Sequence, residues 1–239
     1  MKTESFKALF FSVILRQVLR YIKKGIEKWG NVCYNDFKCY RKAVAMVLDS
    51  IEIISAEEFY TEKASTCCFT GHRRRDLPFG GDISKQGVKN LISTIHLLCH
   101  EAYGRGIRTF ITGMAEGSDL ICGSVIMDMM HSEDHPGIEL ICALPYKDQI
   151  REIKLPKDRY IYSLLLKMAS AVVVTGDIGD SGRYRRRNQF MVNNSSELIA
   201  IYKEKQRGSG TLQTINMARH RELDIHIIEL DRNPQFYCE

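Results

Sequence analysis

Thr112-Gly113-Met114-Ala115-Glu116-Gly117-Ser118-Asp119 follows the apolar run Thr109-Phe110-Ile111 and leads into the apolar-rich stretch 120–130. The order reads as a strand, a glycine-rich turn and the start of a helix. Two glycines let a backbone approach a ligand without a Cβ in the way, and the free N–H groups of a helix's first turn direct partial positive charge at an anion. Asp119 falls where a first-turn carboxylate caps the helix or accepts a ribose hydroxyl. Such turns also serve as plain α/β connections, so the reading needs a second loop.

That loop lies upstream. Thr66-Cys67-Cys68-Phe69 is a short apolar run that passes into Thr70-Gly71-His72-Arg73-Arg74-Arg75, a glycine turn carrying cations. In an open parallel sheet the carboxyl ends of neighbouring strands share a crevice, and both loops are expected to open into it.

From residue 66 onward short apolar runs alternate with helical patterns. Strands are expected at 66–70, 109–112, 139–144, 171–175, 198–202 and 224–230, with helices at 84–103, 118–131, 158–168, 185–192 and 211–222. Val-, Ile- and Leu-rich strands separated by helices imply a mostly parallel sheet covered on both faces. The fold class is therefore α/β, a Rossmann-like three-layer sandwich of about six strands over residues 64–239. Residues 1–63 read as a helical N-terminal extension. Phe6, Phe10, Ile14, Val18, Tyr21 and Ile22 recur at helical spacing, and a second helix is expected after Asn35 through Ile51. This pair makes a homodimer a reasonable expectation.

The chain of 239 residues is 44% apolar and 26% charged, an ordinary globular composition. Its formal charge of +5 is uneven: residues 1–42 carry +7 and the remainder −2. General attraction to nucleic acid or an anionic surface would thus reside in the N-terminal piece. The longest N-terminal apolar run, 8–15, is too short to span a bilayer, so no transmembrane segment is expected. Eight cysteines scattered through expected core strands and helices indicate reduced thiols in a cytoplasmic protein. Metal is not expected. Cys33 and Cys39 lack zinc-site spacing, the order His131-Ser132-Glu133-Asp134-His135 is not a metal motif, and His96 and His100 have no acidic third ligand nearby in sequence.

Five motifs in order carry a family resemblance: Cys68-Phe69-Thr70-Gly71-His72-Arg73, the 110–119 stretch, Ala143-Leu144-Pro145-Tyr146 with Gln149, Arg187-Asn188-Gln189-Phe190-Met191-Val192, and Gly208-Ser209-Gly210-Thr211. Together they resemble the YoqJ/YpsA-like branch of the SLOG superfamily, which also holds DprA and the LOG phosphoribohydrolases. The resemblance spans about residues 64–230. It implies a Rossmann-like fold whose loops hold a nucleotide or nucleotide-derived ligand, with Thr70, Gly71, His72 and Arg73 as one wall and Gly113, Met114, Gly117 and Asp119 in the phosphate-side floor. Ser209, Gly210 and Thr211 would form a third loop, with Arg187 and Asn188 reaching the same crevice. The LOG glutamate that follows the glycine-threonine pair has no counterpart, since Leu212, Gln213 and Thr214 stand there. DprA has an arginine near the position of Glu116.

Among the cations, Arg73 is the expected phosphate clamp, with Arg74 and Arg75 solvated. Of the run Arg183, Arg185, Arg186 and Arg187 only two or three side chains can face one way on a helix. The residues point first to binding or sensing of a nucleotide-derived small molecule without turnover and without a further cofactor. Two other readings stay open: a phosphoribohydrolase-like enzyme using Asp119 or Glu116 with His72, and a DprA-like DNA-associated protein using the Arg183 to Arg187 cluster and the basic N-terminal helix.

Overall fold

A computed structural model of the protein describes residues 52–204 and 209–239. The expected helices between residues 6 and 51, Cys33, Cys39 and Gly208 lie outside the described residues.

Seven strands form one parallel sheet. They are β1 (Ile53–Ser55), β2 (Thr66–Gly71), β3 (Thr109–Thr112), β4 (Glu139–Leu144), β5 (Ala171–Val174), β6 (Glu197–Tyr202) and β7 (Asp224–Glu229). The helices between them are α1 (Gln86–Gly104), α2 (Ser118–Met130), α3 (Pro156–Met168), α4 (Arg183–Asn193) and α5 (Gly210–His220). The six expected strands and five expected helices are all present, with ends shifted by a residue or two. The seventh strand is a difference. Ile53–Ser55, assigned in sequence to the helical extension, pairs with β5 through Ile53 opposite Val172. Three residues are too few to show a period, and the pairing comes from the sheet edge that β5 offers.

The strand order β1-β5-β4-β3-β2-β6-β7 explains where the helices lie. From β2 the chain steps outward through β3, β4 and β5, and right-handed crossovers put α1, α2 and α3 on one face. It then returns past β2 to form β6, so α4 and α5 cover the other face. The side chains follow the period of two. Cys67, Phe69, Phe110, Leu140, Cys142 and Val172 join the first core with Leu91, Ile126 and Leu165. Cys68, Ile111, Ile141, Val173, Leu198 and Ala200 join the second with Phe190, Met191 and Ile215. Strands buried on both faces read as unbroken apolar runs, which made them visible in sequence.

Side-chain ties brace the ends. At the C-terminal end of α1, Arg105 makes a two-pronged bond to Glu197 at 3.0 and 2.7 Å. On the exposed side of that helix His96 and His100 meet His135 from the segment after α2, and burial followed by the neighbouring histidines holds His96 down at about 4. No helix among the described residues is long and apolar enough to cross a membrane.

The six described cysteines are unpaired, and Cys67, Cys68, Cys99, Cys122 and Cys142 are buried. Burial pushes the Cys68 thiol up to about 12 and raises Cys99 and Cys142 as well, so none is a thiolate at neutral pH. Peptide mapping after treatment with a thiol reagent at pH 8 is expected to find Cys238 modified and these five protected until denaturant is added.

Candidate ligand-binding crevice

The sheet order reverses at β2, since the connections after β2 and β6 run to opposite sides. Their carboxyl ends diverge and leave a crevice of ≈ 260 Å³. Thr70, Gly71, His72 and Arg73 form the β2 wall and Ser209, Gly210 and Thr211 the opposite one. Tyr184, Arg187, Asn188 and Met191 close it from α4, and Ala115 and Asp119 contribute from the loop after β3.

Ten of the thirteen residues expected at the site line this crevice; Gly113, Met114 and Gly117 lie behind it. Gly117 has φ 105°, and a Cβ there would sit 2.6 Å from the Arg74 nitrogen and 2.8 Å from the His72 carbonyl. The close approach that sequence assigned to a ligand is taken by the neighbouring loop. Ser118 completes the junction, donating to the His72 carbonyl from its N–H at 3.1 Å and its hydroxyl at 2.9 Å. Gly113 likewise makes room for the Arg187 guanidinium, which donates to the Gly113 carbonyl and leaves no space for a Cβ. Met114, buried at φ 59°, completes the turn.

Asp119 lines the crevice while one of its carboxylate oxygens is held from within the protein. It is 6% exposed, accepts from the Ala115 N–H at 3.1 Å and faces Arg187, itself 5% exposed, at 3.5 Å. Burial lifts the Asp119 carboxyl above its ordinary range, with Arg187 and then Arg73 opposing the shift. Burial in turn lowers Arg187, against the pull of Asp119. The Arg187 Nε donates to Asn188 at 2.8 Å, and Asn188 donates to Thr214 at 2.9 Å, so the pair is linked to α5.

His72 is buried, with its ring 5.7 Å from that of Tyr202 and Nε2 2.9 Å from the Lys203 carbonyl. A carbonyl oxygen only accepts, so Nε2 carries the hydrogen. The third loop is an anion-type helix start: Ser209 caps α5, accepting from the Leu212 N–H at 3.1 Å, and Gly210 and Thr211 are its first two residues.

The arginines divide in a way that sequence captured in part. Arg73 faces the crevice and lies 5.8 Å from the centre of the Tyr184 ring. Arg75 is exposed at the rim, whereas Arg74 was misjudged as solvated. Its guanidinium grips Asp158 on α3 at 2.8 and 2.6 Å and lies 3.6 Å from Glu116. Glu116 is thereby engaged outside the crevice. On α4 Arg187 points inward, Arg185 and Arg186 are exposed, and Arg183 approaches Glu152 at 3.8 Å. Sequence reasoning overlooked Tyr184 and Met191 as lining. Their spacing with Arg187 and Asn188, at i, i+3, i+4 and i+7 of one helix, was the available signal.

The molecule is thus a Rossmann-like α/β domain with a polar crevice at its switch point. The family model described as the YspA SLOG family matches residues 67–233, and the chain belongs to that family. No curated protein matches it. A solved structure of DNA processing protein A from Helicobacter pylori, reported for its single-stranded DNA binding mode, is similar with 15% identity and a TM-score of 0.46. The likeness covers 69% of this chain and 65% of that one.

Two substitutions test the wall behind the crevice. Arg187→Met strands a buried carboxylate and is expected to cost about 3–5 kcal/mol in urea unfolding. Gly113→Ala forces the guanidinium aside and is expected to cost about 1–3 kcal/mol through overpacking.

Proposed function

We propose that the crevice binds a compact nucleotide or nucleotide-derived anion and does not turn it over. The observation that carries this reading is the meeting, at the switch point, of the α5 N-terminus at Gly210 and Thr211 with the Arg73 side chain. Backbone N–H groups at a helix start and a guanidinium across the gap form a two-sided phosphate clamp. The carboxylate of Asp119 does not oppose it, because Arg187 balances that charge from beside it. A volume of ≈ 260 Å³ lies at the small end of ligand pockets, which favours a mononucleotide or ribose phosphate over a larger cofactor.

The groups that a hydrolase would use are otherwise engaged. His72 gives its Nε2 hydrogen to Lys203, Asp119 is held by Ala115 and Arg187, and no carboxylate follows Thr211 at the LOG spacing. Binding without catalysis is the simpler account of such a site.

Gly210→Asp separates binding from folding. A Cβ at Gly210 meets nothing within 4 Å, and a carboxylate in a helix's first turn favours the helix while repelling a phosphate. In a thermal-shift screen against nucleoside mono-, di- and triphosphates and ribose 5-phosphate, the wild-type protein is expected to gain stability with at least one compound. Arg73→Ala should weaken that compound about 10- to 100-fold, the worth of a charged hydrogen bond. Gly210→Asp should abolish its effect with an unligated Tm at or above wild type. No stabilisation by any compound, or stabilisation undiminished in both variants, would remove the proposal. Release of a base or phosphate during incubation would replace binding with catalysis.

A further inference from the structure

Tyr184 stands at the mouth of the crevice, in the first turn of α4 at the carboxyl edge of the sheet. It is half-buried, whereas the phenyl ring that also borders the crevice, Phe69, is 1% exposed and stacked on Phe110 in the core. The Tyr184 hydroxyl donates to the Glu152 carboxylate, and the same oxygen accepts from the Tyr146 hydroxyl at 2.6 Å. Glu152 belongs to the turn after β4 and is not part of the crevice lining. The polar end of Tyr184 is therefore engaged outside the crevice, and what it offers inside is ring surface.

A second group steadies the ring. The Arg183 guanidinium lies 5.0 Å from the centre of the Tyr184 ring and 5.1 Å from that of Tyr146, and it donates to the Ile178 and Asp180 carbonyls at 3.1 Å. Support of Arg183 does not by itself call for an aromatic residue at 184, since those carbonyls and the Tyr146 ring already hold it. Rings used only for packing are fully covered here, as Phe69 and Tyr162 are. A ring fixed through its hydroxyl, with surface left at an opening, has little rotamer freedom to lose when a flat group settles on it. Arg73, one arm of the phosphate clamp, lies 5.8 Å from the centre of the same ring. The two are close enough for one ribose to bridge them.

We propose that Tyr184 is the base-stacking residue of the crevice, so that its ligand is a nucleoside monophosphate and not a bare sugar phosphate. The inference rests on the clamp formed by Arg73 and the start of α5, which holds the phosphate; the ring then selects, among phosphates, those that carry an aromatic base. Every base has a π-face, so stacking tolerates all of them and favours the larger purines through contact area rather than through hydrogen bonds.

The test is calorimetric titration of the full chain with AMP, CMP and ribose 5-phosphate, for the wild type, Tyr184→Phe and Tyr184→Leu. In the wild type AMP is expected to bind tightest and ribose 5-phosphate weakest, with a ratio of about 5- to 100-fold, the worth of one stacked base. Tyr184→Leu should bring AMP down to the level of ribose 5-phosphate and leave ribose 5-phosphate unchanged, which also reports an intact fold. Tyr184→Phe keeps a ring and should keep the preference. Equal binding of AMP and ribose 5-phosphate by the wild type would overturn the stacking role and leave the clamp standing. A preference undiminished in Tyr184→Leu, or an equal loss of both ligands in that variant, would overturn it too. Absence of binding by all three compounds would overturn the clamp and the stacking role together.

Discussion

The buried contact between Asp119 and Arg187 is the interaction on which the crevice depends. One member comes from the loop after β3 and the other from the helix that carries the chain back across the sheet. Each is costly to bury alone, because its hydration is lost. Together, with the Ala115 N–H and the Gly113 carbonyl taking up remaining bonding capacity, they fix α4 over the carboxyl ends of the strands. The lining groups of α4 are placed by that contact. Asn188 reaches α5 from the next position, and Tyr184 and Met191 flank it one turn away in each direction.

A second constraint fuses the two glycine loops into one wall. Gly117 and Ser118 rest on the backbone of residues 72–74, so the β2 and β3 loops cannot move independently. Arg74 extends the wall to α3 through Asp158. The site is therefore braced on three sides, and its fourth is the capped start of α5, where Gly210 is exposed. Preorganised donors lose little entropy when a ligand arrives, which suits a binding module.

The architecture could be read from sequence because its central strands are buried on both faces and most of its helices carry a 3.6-residue period. Strand β1 could not, since three residues carry no pattern and its place is decided by an edge formed elsewhere. The lining could be read for residues at strand ends and helix starts, such as Thr70, Arg73 and Gly210. It could not be read for Gly113 and Gly117, because the same freedom that admits a phosphate also admits another part of the protein. Gly113 is used for an arginine and Gly117 for a backbone, and only the three-dimensional neighbours distinguish these from a ligand. Arg74 shows the same limit: its partner Asp158 lies 84 residues away, beyond any local spacing rule. His135 beside His100, 35 residues apart, is a further case.

The return of the chain past β2 also means that the site joins segments far apart in sequence. His72 reaches its carbonyl partner at Lys203 across 131 residues, and β6 pairs with β2 only after three other strands and their helices have been made. Contacts of such long sequence separation carry the largest loop-closure cost. During synthesis on the ribosome β1 to β5 emerge before β6 and β7, so until then one edge of β2 has no partner and the crevice lacks one wall. The crevice is thus complete only once the last quarter of the chain, from α4 onward, has docked on the rest.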